Sequence, residues 1–346
     1  MAQFTPRTID LEHCPVCGGK AYTKFFSAPD RLHGIHGEFV YVTCEACGSV
    51  FQNPRVVDED LPGCYPNDYY THEPEIANLS EDEVLTLGGT GIRDRFRRSI
   101  AAEIMDPKSS RSALARFFAR SRTVRERVFN GLVIDEFLPR GGSALRALEV
   151  GCGSGDLLAR LKALGWKCEG LELDSIAASI ARERSGCPVG VGTLEEFDEP
   201  AEKYDLIVLH HVFEHLSKPI ETIKAFKRLL NPDGRAVLIY PNQDSLGAKL
   251  FREFWLHWDP PRHLFFASRS GMQELASKYG FRFSARTGSR AADLCSAISR
   301  SHRSRANNGQ KPVVDRLDRL YKRVQQLMIL FGFHVGDEIL VTLRNS

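Results

Sequence analysis

The sequence predicts an α/β fold, a mostly parallel sheet with helices on both faces, preceded by a small cysteine-rich module. Three observations carry this. Apolar strands alternate with amphipathic helices between residues 146 and 240, and a glycine turn, Gly151, Gly153 and Gly155, follows the first strand at once. Ahead of them, Cys14-Pro-Val-Cys17-Gly18 recurs in kind as Cys44-Glu-Ala-Cys47-Gly48. A hydrophobic fraction of 42% and a charged fraction of 26% over 346 residues suit one large core plus a small module. The net charge of +2 names no partner class. The longest apolar runs, 206–209 and 327–331, are far too short to span a bilayer, and no basic leader with an apolar core opens the chain. A cytoplasmic protein without a membrane span is expected, and its nine cysteines should serve as thiols or metal ligands rather than disulfides.

The two knuckles come first. Each turns the chain so that two thiolates face one ion, and the glycine after it permits the turn. Cys14, Cys17, Cys44 and Cys47 then complete a closed tetrahedral shell around a structural Zn2+, with a redox dithiol pair as the alternative. Strand-like stretches 22–26 and 39–43 lie between them. Residues 1–70 are expected to form this zinc-ribbon domain, which includes the tyrosines Tyr65, Tyr69 and Tyr70. The prolines and acids of 51–92, among them Glu81, Asp82 and Glu83, read as a linker. Residues 71–138 are linker and helical extension, in which apolar spacing gives two helices broken at Asp106-Pro107. Ten arginines between Arg93 and Arg127 make a solvated face or attract an anionic substrate.

Residues 139–346 hold the core. Ala147, Leu148 and Val150 make a buried parallel strand. Asp156 is expected to cap the next helix, Leu157, Leu158, Leu161 and Leu164 give its stripe, and Gly165 ends it. The second strand closes on Glu172 and Asp174, which puts a carboxylate about twenty residues past the glycines, where such folds bind ribose hydroxyls. A dinucleotide fingerprint would place its third glycine where Asp156 stands. A carboxylate there opposes a pyrophosphate and tolerates an ammonium group, which favours S-adenosylmethionine (SAM) over a nicotinamide dinucleotide.

Glu149-Val150-Gly151-Cys152-Gly153-Ser154-Gly155 resembles the first motif of class I SAM-dependent methyltransferases, and Glu172 resembles their ribose-binding acid. The resemblance implies a Rossmann-like seven-stranded sheet whose last strand is antiparallel. It implies cofactor contacts from Glu149, Gly151, Cys152, Gly153, Gly155, Glu172 and Leu173, and from Thr193 and Leu194 beside adenine, although the family often has an aspartate where Thr193 stands.

Ser175 is expected to cap the next helix, 189–191 is the third strand, and 204–210 is a continuous apolar fourth strand. Its end delivers His210, His211, Glu214 and His215 to the carboxyl edge of the sheet, where ligands of open α/β sheets bind. Methyl transfer to a hydroxyl needs in-line approach and a base near neutrality, which histidine supplies. His215 is the first candidate, with Glu214, expected at a helix start, orienting it and His211 one turn back. The bland alternative leaves His215 to pack the loop and His210 to offer its carbonyl to the cofactor ammonium. Some relatives bind magnesium with a Glu-x-x-Glu-His arrangement, but His211 replaces the first acid and is a poor magnesium ligand.

A helix over 219–230, closed by Asn231-Pro-Asp-Gly234, leads to a fifth strand, 235–240. In the loop 254–266, Trp255 and Trp258 are candidates to stack on a sugar or aromatic ring, and Arg262 to hold a carboxylate or phosphate. His263 is the second candidate base, and a lid packed on the core is the alternative for the whole loop. Ser268 caps a helix, 281–287 and 338–343 are the last strands, and an insert of about 291–335 is basic, then helical.

The layout is similar to zinc-ribbon methyltransferases of sugar, surface-polysaccharide and secondary-metabolite pathways, including sugar C-methyltransferases. Longer members carry a further C-terminal domain that this chain is too short to contain. The resemblance therefore implies O-methylation of a sugar or glycan-pathway intermediate, ahead of C-methylation of a sugar nucleotide. A nucleic-acid or protein methyltransferase is disfavoured because the ribbon carries little positive charge, and a non-catalytic SAM-binding module because the glycine loop is intact. The insert's apolar stripe leaves open packing on its own domain or a homodimer.

Overall fold

The structure is a computed structural model, and it describes residues 4–65, 91–105, 112–121, 124–125, 128, 134–139, 145–304 and 313–346. Tyr69, Tyr70, the acidic run at Glu81 and the break at Asp106-Pro107 lie outside the described residues. The strands are β1 (Thr8–Ile9), β2 (Tyr22–Ala28), β3 (Phe39–Cys44), β4 (Val50–Gln52), β5 (Arg55–Val56), β6 (Arg146–Val150), β7 (Lys167–Glu172), β8 (Val189–Val191), β9 (Tyr204–His210), β10 (Leu230–Pro241), β11 (Phe265–Phe266), β12 (Phe281–Gly288) and β13 (Glu338–Asn345). Seven of them form one mixed sheet in the order β12-β13-β10-β9-β6-β7-β8. No helix among the described residues is long and apolar enough to cross a membrane.

The chain divides into two compact units, Tyr70–Val208 with Leu229–Arg235, and Met1–Tyr69 with Leu209–Arg228 and Ala236–Ser346. In the first, β6, β7 and β8 are parallel, with Leu148 opposite Glu169 and Leu171 opposite Gly190. Helices Asp156–Ala163 and Ser175–Ser185 bury Leu157, Leu158, Leu161, Ala177, Ala178 and Ala181. Both expected caps shift by one residue. Gly155, at φ 82°, is the N-cap of the first helix and Asp156 instead pairs with Arg184 at 2.7 Å. Asp174 caps the second by accepting from the amides of Ile176 and Ala177, so Ser175 is already helical. Asn231 to Gly234 are part of β10 rather than a turn. Gly234 is required there because a Cβ would stand 2.8 Å from the Tyr204 carbonyl oxygen. Ahead of β6 lie helices Ile92–Met105, Ala113–Ala119 and Ile134–Phe137. Arginines of this region are partly neutralised, Arg116 by Glu103 (3.2 Å) and Arg125 by Asp135 (2.5 Å).

In the second unit, residues 51–65 are ordered structure rather than linker. β4 pairs with β3, β5 with β1, and a 3₁₀ turn spans Pro62–Cys64. The cysteine-bearing sheet runs β11-β4-β3-β2, so its edge strand, opposite β4, comes from the tryptophan-rich loop more than 200 residues later, with Phe265 opposite Phe51. Tyr41, Trp255, Trp258 and Phe266 form one buried cluster. Trp255 and Trp258 are 1% exposed, so neither is placed to stack on a substrate, and the packed lid is the outcome. β12 and β13 are antiparallel and in register from Phe281 opposite Asn345 to Gly288 opposite Glu338. The insert holds two helices where the sequence showed one, Ala292–Ser304 and Arg316–Leu330. The first escapes periodicity because it buries small and polar residues, Ala292, Cys295, Ser296, Ala297, Ser299 and His302.

Candidate active site

The glycine turn after β6 has a geometry that only glycine adopts without strain. Gly151, Gly153 and Gly155 take φ of 65°, 51° and 82°, and a Cβ on Gly155 would meet Ala181 Cα at 2.9 Å. Gly151 and Cys152 both donate to Leu171 O, at 2.7 and 3.3 Å, which pins the turn to the end of β7. Glu172 closes it from the other side. Its Oε2 accepts from Gly153 N (2.8 Å) and its Oε1 from Leu173 N (2.8 Å) and Asp174 N (3.1 Å). Glu149 is buried with Oε2 unpartnered, and burial, then the nearby charges of Glu172 and Asp156, push its carboxyl well above the usual range. With Asp156 paired to Arg184 and Glu149 held back by burial, Glu172 is the carboxylate that closes the turn, and it suits a cation and opposes a phosphate. These residues therefore fit a sulfonium donor with an ammonium group.

The remaining residues expected at the cofactor are scattered in exposure. Cys152 is buried and burial raises its thiol; Leu173 is 64% exposed; Leu194 is buried; Thr193 is half-buried and accepts weakly from Glu196 N (3.4 Å). His210, the last residue of β9, has its ring 4.8 Å from that of His211.

In the other unit, five histidines, His210, His211, His215, His257 and His263, gather with Glu214 and Glu338. Glu214 and His215 lie in a 3₁₀ turn, Phe213–His215, not at a helix start. His211, at φ 54°, sits between two carboxylates, with Nδ1 3.3 Å from Glu214 Oε1 and Nε2 3.2 Å from Glu338 Oε1. Burial disfavours its charge, but the two carboxylates win and raise it to about 10, while Glu338 is pulled down to about 2 against its own burial. His211 is thus an imidazolium at neutral pH. His215 and His263 are the opposite case. Burial lowers both, His263 the further because His215 adds to it.

Each of these neutral rings is held by its Nδ1. His215 Nδ1 is 2.9 Å from Tyr65 Oη and 3.1 Å from Arg262 O; His263 Nδ1 is 2.7 Å from His257 O. A ring that donates Nδ1–H to a carbonyl keeps its lone pair on Nε2. His263 Nε2 lies 3.9 Å from Glu214 Oε1, the two rings are 4.6 Å apart edge-on, and Glu214 Oε2 is buried without a partner. Glu214, His215 and His263 bring three ligand-type atoms within 4.8 Å, but two imidazoles and one carboxylate are not a magnesium donor set.

Sequence reasoning missed what supports this cluster. Glu338, on the far C-terminal strand, and Tyr65, near the end of the ribbon domain, have no local signal linking them to it. Tyr41 Oη lies 2.8 Å from the carbonyl oxygens of both Trp258 and His263, and Gln52 Nε2 donates to His263 O at 3.1 Å. Arg262 is not available to a substrate. It is fully buried, with Nη1 and Nη2 on Asp30 at 2.9 and 2.8 Å and Nη2 on Asp259 at 2.5 Å.

The four knuckle sulfurs lie within 4.8 Å of one another, Cys14 to Cys47 at 3.8 Å and Cys17 to Cys44 at 3.6 Å. Tetrahedral sulfurs about 2.3 Å from a zinc ion would be about 3.8 Å apart, so the set fits one. Gly18 and Gly48, at φ 80° and 72°, close the two turns by donating to Cys14 O and Cys44 O, each at 2.9 Å.

Residues 120–284 match the methyltransferase domain family. Among curated relatives, a ubiquinone biosynthesis O-methyltransferase of Parvibaculum lavamentivorans is 30% identical over 172 residues, 47% of this chain and 68% of that protein. Its counterpart from Caulobacter sp. is 29% identical over 47% of this chain and 69% of its own length. That of Actinobacillus pleuropneumoniae is 32% identical over 26% of this chain and 42% of its own length, so the matches span from under half to about two thirds of those proteins. Among solved structures, a SAM-dependent methyltransferase from Archaeoglobus fulgidus aligns at 17% identity with a TM-score of 0.44, covering 66% of this chain and 96% of that one. Magnesium protoporphyrin IX methyltransferase from Synechocystis, solved with bound S-adenosylhomocysteine, aligns at 14% identity and a TM-score of 0.39, over 76% and 92%. The glycine turn closed by Glu172, the seven-stranded sheet and these sequence matches agree: the chain belongs to the SAM-dependent methyltransferases.

Proposed function

We propose that this chain transfers a methyl group to a hydroxyl oxygen of a small molecule, with His215 as the base. The observation that carries the proposal is the split among the histidines: His211 is held charged between Glu214 and Glu338, whereas His215 and His263 stay neutral with Nδ1 engaged and Nε2 able to take a proton. SAM, when bound, supplies an electrophilic methyl on a sulfonium. Gly151, Gly153 and Gly155 would hold it against the backbone, Glu172 would take its ribose hydroxyls, and Leu173, Thr193 and Leu194 would flank its adenine. Cys152 and Glu149 would back the turn, and His210 would offer its carbonyl.

On the acceptor side, His215 Nε2 would remove the hydroxyl proton as the oxygen attacks, and Glu214 would balance the imidazolium that forms. His263 is the reserve base. The curated relatives named as O-methyltransferases support an oxygen acceptor. A sugar hydroxyl rests on the zinc-ribbon layout alone, without help from the buried Trp255 and Trp258. Cys14, Cys17, Cys44 and Cys47 would hold a structural zinc that leaves no coordination position for substrate.

The test is turnover with labelled SAM over a panel of phenolic and sugar hydroxyl compounds, repeated with His215→Ala. The variant should keep its SAM affinity and lose about 10²–10⁴ in rate. An unchanged rate removes His215 as the base, and transfer confined to carbon or nitrogen acceptors removes the oxygen assignment.

A further inference from the structure

Helix Arg316–Leu330 is amphipathic the wrong way round for a protein surface in water. Its inward face is polar: Asp318, Tyr321 and Gln325 are buried. Asp318 accepts from Ser296 Oγ (2.7 Å) and Arg300 Nη2 (2.8 Å), and Tyr321 Oη and Gln325 Nε2 both donate to Asp337 Oδ2, at 3.0 and 2.9 Å. These bonds set the helix's rotation about its axis. The consequence is that Leu317, Leu320, Val324, Leu327, Leu330 and Phe331 face outward, from 40% exposed at Val324 to 77% at Phe331. Six large side chains in one row exceed the scattered apolar exposure that any surface carries. Asp315 closes the helix start in a capping box, and among the described residues this face is left exposed.

The row is bordered by positive charge. Arg316, Arg319 and Arg323 are exposed on the flank beside it and form no ion pair among the described residues, while the helix's one acid, Asp318, is buried and consumed by Arg300. Leucines and phenylalanine on one side of a helix with arginines alongside are the features of a helix that lies in the plane of a membrane interface, its apolar row sunk among the acyl chains and its cations among headgroup phosphates. The three-and-four spacing would also suit a second helix, but a second copy brings the same basic border, whereas anionic headgroups complement it.

We propose that this face docks the protein on an anionic phospholipid surface. The proposal is independent of the acceptor and of the base. It is tested with the full chain by co-sedimentation with phosphatidylcholine vesicles, with and without phosphatidylglycerol. Binding should be at least about tenfold stronger to the anionic vesicles and should fall with salt. Leu320→Glu/Leu327→Glu should reduce it to background while melting at or above the parent temperature, because both side chains are exposed. Arg316→Glu/Arg323→Glu should erase the preference for phosphatidylglycerol. Absence of vesicle binding at low salt overturns the proposal, as does binding that both variants retain. A parent dimer in sedimentation velocity that the leucine variant converts to monomer, without vesicle binding by either, assigns the face to a second copy instead.

Discussion

Replacing Arg262 by methionine tests how the cysteine-bearing module supports the histidine-bearing loop. Arg262 is fully buried, and its guanidinium bridges Asp30, which follows β2, to Asp259, which precedes His263, while also donating to Cys64 O at 3.1 Å. Methionine is similarly long and flexible, so the main loss is the cation rather than volume. Two buried carboxylates are then left facing each other. Breaking a buried pair in this way costs about 3–5 kcal/mol, which at about 2–4 °C per kcal/mol lowers Tm by about 6–20 °C.

The pH dependence separates this mechanism from a simple packing defect. In the parent, burial raises the Asp30 carboxyl but Arg262 outweighs it, so Asp30 is held below its ordinary 3.8. Its contribution is present above that value and is lost as pH falls. In the variant, burial of Asp30 is opposed only by the amides of Leu32, His33 and Ile35, so its carboxyl rises, the folded state holds more protons than in the parent, and the variant loses stability relative to the parent as pH rises. The Tm gap should therefore widen from about pH 5 to about pH 7.5. Differential scanning calorimetry at the two pH values decides. A gap under about 2 °C at neutral pH, or one equal at both, refutes the buried-charge account.

Chelation should remove one zinc per chain and unfold the module, because a module of this size has little core without its metal. Hydrogen exchange should then accelerate at Phe51 and at Phe265 and Phe266 together, since β4 and β11 share a ladder; full protection of the zinc-free protein would contradict it. The acid limb of kcat/KM should fall below the ordinary histidine value of 6.5, because burial lowers His215. A limb above that value would point instead to a group held charged, as His211 is by Glu214 and Glu338.

Much of the sheet was legible because buried parallel strands leave continuous apolar runs. The expected fourth strand, 204–210, has the bounds of β9, and 189–191 those of β8. The glycine turn was legible because three left-handed residues in a row of five leave little choice of side chain. The knuckles were legible for the same reason, each needing a left-handed glycine after its second cysteine. The misses are long-range. Pairing of β11 with β4, the Asp30–Arg262 pair and the Glu338–His211 contact each span more than 100 residues, and no local pattern encodes them. For Arg262 and the two tryptophans the sequence leaves substrate contact and packed lid both open, because aromatic and basic residues look alike whether they bind a ligand or fill a core. Helix Arg316–Leu330 shows the same limit: its stripe was plain, but its rotation is set by Asp318, Tyr321 and Gln325 bonding inward.

The most direct measurement is the affinity of the purified chain for S-adenosylmethionine and S-adenosylhomocysteine by isothermal calorimetry, beside Gly153→Arg. Gly153 sits at φ 51° with its amide on Glu172, so an arginine there strains the turn and fills its surface. Saturable one-to-one binding by the parent and none by a folded variant is the result this account requires. Retained affinity in the variant, or binding of a nicotinamide dinucleotide or nucleoside triphosphate in place of the methyl donor, would contradict it.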